Sequence, residues 1–93
     1  MRELRQDDFE PLVGERFELD AEGGPFDFEL TGVQPLPQGM RQAGCFRLEW
    51  LGPGEPVLPQ AIYTLRREGD AFEIFLVPIA RSDEGIRYEA IFN

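Results

Sequence analysis

The chain has 93 residues, with 18 Asp and Glu against nine Arg, for a formal net charge of −9. It has no His and no Lys, one Ser (Ser82) and one Cys (Cys45), which removes most of the side chains that act as nucleophile, general base or soft metal ligand. The acidity opposes binding to a phosphate backbone, which draws on clustered Lys and Arg to release counterions, so nucleic acid is not an expected partner.

In chain order, Met1 to Asp8 is charged and carries no apolar core of a signal peptide, and no stretch approaches the 18 apolar residues of a membrane span. The expectation is a soluble, cytoplasmic protein. One short helix is expected next, with Asp7 or Asp8 as N-cap ahead of Phe9, Leu12 and Val13, Pro11 tolerated in the first turn and Gly14 as the stop. It would plug an open end of a sheet.

Strands follow. Arg16 to Asp20 alternates apolar and polar, Ala21 to Pro25 supplies turn residues, and Phe26, Phe28 and Leu30 alternate with Asp27, Glu29 and Thr31. These two read as a hairpin. Residues 45–51 place Phe46, Leu48 and Trp50 on one face, and Gly52-Pro53-Gly54 stops the strand. Residues 61–66 form another strand, and Arg66 to Asp70 turns into residues 71–77. There Phe72, Ile74 and Leu76 form one face and Phe75 and Val77 the other. A strand apolar on both faces is expected to be central or covered on its second face. Ala80 to Gly85 makes a polar turn, and 86–92 closes the chain with Tyr88, Ala90 and Phe92 inward.

The predicted fold is therefore all-β: a single domain over residues 1–93, a small antiparallel meander of about six strands with one short N-terminal helix. Partly open barrel and two-layer sandwich remain alternatives. A domain this small buries only about 60–65% of the surface its unfolded chain exposes, so the eight Phe, the Trp and the two Tyr must supply much of the core. Cys45, between Gly44 and Phe46, reads as a small structural residue, since no Lys or His is there to activate it. Self-association is open to such a fold, through an edge strand such as 16–20 or 86–92.

Four blocks carry a resemblance: Phe9-Glu10-Pro11-Leu12-Val13-Gly14, Leu58-Pro59-Gln60 followed by Tyr63, Phe75-Leu76-Val77-Pro78-Ile79, and Tyr88 to Asn93. In order and spacing they resemble a family of small uncharacterised bacterial proteins, a domain of unknown function, over nearly the whole chain. The chain departs from that pattern at Ala61-Ile62 and at Cys45. The resemblance transfers no catalytic residue; what it implies is an accessory role near phage-tail-collar-like proteins, in a tail-like or surface assembly.

Carboxylates on strands (Asp27, Glu29, Glu49, Glu73, Glu89) lie among Arg47, Arg66 and Arg87, a pattern of cross-strand surface pairing that outweighs an acid–base pair. Ser82 beside Asp83 reads as a turn residue. No ligand set for a metal and no Gly-rich phosphate loop is present, so no cofactor is expected.

Two connections draw attention. The long stretch Val33 to Gly44 carries Leu36 and Met40 without an evident core role. Gly52 to Gln60 has prolines at every third position, as one edge of a polyproline II helix would, or else it anchors Leu58 and Pro59 on the core and positions Gln60. Leu36, Met40, Leu58, Pro59 and Gln60 are thus the candidate interaction residues. The leading expectation is a non-enzymatic binding or structural module with a protein partner. The alternatives are a small carboxylate-dependent hydrolase and an acidic decoy for a basic protein.

Overall fold

A computed structural model describes residues 4–37 and 44–93. Six antiparallel strands form: β1 Arg16–Asp20, β2 Phe26–Pro35, β3 Phe46–Gly52, β4 Ala61–Arg67, β5 Asp70–Ser82 and β6 Gly85–Phe92. They are preceded by the one-turn helix α1, Gln6–Phe9, and a 3-10 turn at Glu10–Leu12. The all-β, antiparallel expectation with one short helix holds.

The sheet closes on itself in the order β1-β2-β3-β6-β5-β4, with β1 bonded to β4 and β3 to β6. With all six strands in one closed sheet, the two-layer sandwich is excluded. Closure also refines the meander, which is split into two three-stranded halves, β1-β2-β3 and β4-β5-β6. Because β1 has both β2 and β4 as neighbours and β6 has both β3 and β5, neither offers the free edge expected for pairing with a second copy.

Local chemistry explains the hairpins. Glu68 and Gly69 both have positive φ, as the two-residue turn between β4 and β5 requires. At the β5–β6 turn the Ser82 hydroxyl donates to the Gly85 carbonyl and accepts from Glu84 N–H, the local backbone role its neighbourhood implied. Gly85, at φ +145°, lies so close to β3 that a Cβ would stand 2.1 Å from the Gly52 carbonyl oxygen. A bulge at Thr31 reverses the alternation of β2, so that Val33 pairs with Leu48 and the strand runs on to Pro35. The connection that follows is accordingly shorter than its sequence indicated.

The interior is apolar throughout: Phe17 and Leu19, Phe28 and Leu30, Phe46, Leu48 and Trp50, Leu65, Phe72, Ile74 and Leu76, and Ile86, Tyr88 and Ala90 are all buried. Each side chain follows the two-residue period of its strand. Phe17 meets the Trp50 indole edge-on at 4.9 Å, and Phe28 lies 5.0 Å from Tyr88.

Both ends of the ring are plugged. At the end where Phe46 pairs with Phe92, Phe9 is fully buried, 5.3 Å from Phe72 and 6.0 Å from Phe46. The helix thus plugs the sheet as expected, but its cap differs. Arg5 is the N-cap, and Asp8, one turn on, accepts a 2.8 Å bond from Arg5 N–H rather than capping the helix itself. At the other end, residues 53–60 must cross the mouth, since β3 and β4 stand opposite one another in the ring. Leu58 drops into it.

Candidate functional site

The crossing segment is held by three bonds. Leu58 N–H donates to the buried Tyr88 hydroxyl at 2.9 Å, the Tyr63 hydroxyl donates to the Pro59 carbonyl at 2.5 Å, and Arg81 donates to the Gly54 carbonyl at 3.1 Å. Burial pushes the Tyr63 phenol above its ordinary value, with Tyr88 adding a smaller push. The chain bends over residues 54–56, so Pro53, Pro56 and Pro59 do not continue one straight polyproline edge. Leu58 is a core residue here, and Pro59 and Gln60 are exposed beside it.

Leu36 lies at the opposite end of the ring, half-buried, its N–H bonded to the Cys45 carbonyl at 2.9 Å. Met40 lies outside the described residues. The candidate loops therefore do not form one surface: Leu36 sits at the end plugged by Phe9, and Leu58, Pro59 and Gln60 at the end that Leu58 plugs.

The strand carboxylates divide. Glu89 accepts from Arg47 Nε at 2.7 Å, Glu49 from Arg47 at 3.2 Å, and Arg87 reaches Glu49 at 3.6 Å and Glu84 at 3.1 Å. The bond to Glu89 is the main reason the Arg47 guanidinium is held above its ordinary value. This is cross-strand surface pairing on β3 and β6. Asp27, Glu29 and Glu73 make no ion pair among the described residues.

A groove of about 690 Å³ runs past the β1 and β4 ends, lined by Glu15, Arg16, Glu18, Arg66, Arg67 and Glu68. Its charges are largely matched internally: Arg67 bonds Glu15 at 2.5 Å and also Glu68, while Arg66 bonds Asp20 at 2.8 Å. A smaller recess of about 420 Å³ lies against Ala21, Val57, Pro59 and Tyr63 and is mainly apolar. Among the described residues no cluster of three or more His, Cys, Asp or Glu has the arrangement to hold a metal ion. Two buried nitrogens, Trp50 Nε1 and Arg67 Nε, have no hydrogen-bond partner among the described residues.

The feature that sequence reasoning did not single out as a surface is the outer face of β4, β5 and β6. Ile62 is 67% exposed, Phe75 50%, Ile91 45% and Ile79 42%. Ile62 and Phe75 are register partners across β4 and β5. Ile91 lies two residues beyond Glu89 on β6, as Phe75 lies two residues before Val77, the partner of Glu89 on β5. Ile62 and Phe75 are thus an exposed apolar pair, and Ile91 is exposed on the adjacent strand just past the last β5–β6 pair, Val77 with Glu89. Of the two expectations for a strand apolar on both faces, β5 meets the first: it is central, bonded to β4 and β6, while its second face is uncovered in the single chain. Its signal was present in the sequence as the Phe75 and Val77 alternation, but closure of the sheet leaves no second layer to cover it.

Among the described residues no helix is long and apolar enough to cross a membrane. Residues 4–92 match the model of a protein family described as Domain of unknown function (DUF6916). Among curated proteins and among solved structures nothing matches the chain.

Proposed function

The chain belongs to that family of unknown function, and we propose that it is a non-enzymatic binding or structural accessory module whose contact surface is the outer face of β4, β5 and β6. The observation that carries this reading is the exposed apolar pair Ile62 and Phe75, with Ile91 exposed on the adjacent strand. Single exposed apolar residues are ordinary on protein surfaces, whereas large apolar side chains grouped on one sheet face are the form that interaction sites take. Folding gives no reason for this grouping, because the core is already filled by the opposite face of the same strands. A cytoplasmic setting and an accessory role in a phage-tail-like or surface assembly are the biological context proposed for this module.

The test is affinity capture from the native cell lysate, with the wild-type protein compared with Phe75→Ser at moderate and high salt. The reading expects a partner enriched by the wild-type chain and lost from the variant, with both proteins equally folded. Equal capture by both would place the contact elsewhere.

A further inference from the structure

The charges around this apolar group say what kind of partner suits it. Arg47 pairs with Ile91 across β3 and β6, but its guanidinium is held between Glu89 at 2.7 Å and Glu49 at 3.2 Å. On the other flank Arg66 is matched by Asp20 at 2.8 Å. Glu73, two residues before Phe75 and opposite Thr64, is exposed and has no ion pair among the described residues. Arg87 in turn reaches Glu49 at 3.6 Å and Glu84 at 3.1 Å, so three guanidiniums stand against five carboxylates around the apolar centre, in a chain whose net charge is −9.

We infer that this face receives a segment of another protein that is apolar at its centre and flanked by Lys or Arg. Such a segment would lay its apolar side chains along Ile62, Phe75 and Ile91 and its cations on Glu73, Glu89 and Glu49, which the intramolecular pairs leave with spare acceptor positions. A second copy is a poor occupant for two reasons. Its own acidic rim would meet an acidic rim. The outside of a closed sheet is also convex, so two copies would touch along a narrow line, short of the roughly 800 Å² per partner of a standard interface.

This inference rests on the binding reading above and adds the charge of the partner. It is tested with two designed amphipathic peptides of equal length, one of Leu and Lys and one of Leu and Glu, each titrated into isotope-labelled protein and followed by backbone amide shifts. The Leu and Lys peptide is expected to shift amides in 61–64, 73–77 and 89–92. It should bind about tenfold more weakly to Phe75→Ser and about threefold to tenfold more weakly when salt rises from about 50 to about 300 mM. The Leu and Glu peptide is expected to leave those amides in place.

Equal shifts with both peptides would overturn the charge assignment. So would shifts that centre on the charged groove by β1, or binding that Phe75→Ser does not weaken. Concentration-dependent shifts of the same amides without peptide would assign the face to a second copy and overturn the inference as well. The two readings fail separately: unchanged capture of the natural partner by Phe75→Ser breaks the surface itself, whereas lost capture without preference for the Lys peptide breaks only the basic partner.

Discussion

Strands β3 and β5 face the same interior and opposite kinds of exterior. Inward, β3 buries Phe46, Leu48 and Trp50, and β5 buries Phe72, Ile74 and Leu76, three large side chains each. Outward, β3 carries Arg47 and Glu49 in an ion-pair network, while β5 carries Phe75 and, past Val77, Ile79. The interior requirement is met alike by both strands, so the apolar exterior of β5 is not explained by folding. It is the part of the molecule whose chemistry points outward.

The contrast is sharpest where two neighbours on one strand are changed in turn. Phe72→Ala removes a ring packed on Phe9 and Phe17 and is expected to cost about 3–5 kcal/mol in chemical denaturation. A cost below about 1 kcal/mol would mean that the inner face of β5 is not the core it is taken for. Tyr88→Phe, on the strand between β3 and β5, keeps the ring but leaves the Leu58 N–H without its acceptor at the plugged mouth. About 1–3 kcal/mol is expected, read from the denaturation midpoint.

Arg47→Gln breaks the outer network of β3, whose members are partly exposed, and should cost about 1 kcal/mol or less, with the loss shrinking as salt is added. Phe75→Ser is the smallest change of all: within about 0.5 kcal/mol of the wild type in stability, despite removing a whole aromatic ring. A large loss there would show that the exposed ring supports the fold after all, and the contrast with β3 would collapse.

Much of this was legible in the sequence. The six strands, their inward residues and the plugging helix follow from the two-residue period and the turn residues, because burial on one face imposes that period whatever the topology. Three features were not legible. Ring closure depends on β1 meeting β4 and β3 meeting β6, pairings between segments far apart in the chain that no local pattern encodes. The bulge at Thr31 shifts alternation by one residue and hides Val33 in what looks like a loop. That Leu58 anchors its loop on the core was legible, but the mouth it fills depends on the same closure and was not. The outer face is the instructive case. Phe75 and Val77 mark a strand apolar on both faces, which is central or covered; β5 proves central, between β4 and β6, and its outer face stays uncovered because the sheet covers its inner face with itself.

The most direct measurement of the central claim is site-specific photo-crosslinking in the native cell, with the reactive residue placed at Ile62, beside Phe75, and at Asp27 as a control. Asp27 is exposed on β2, which lies opposite β5 in the ring. The account predicts a discrete crosslinked partner from position 62 and none from position 27. Crosslinking from position 27, with position 62 silent, would contradict it.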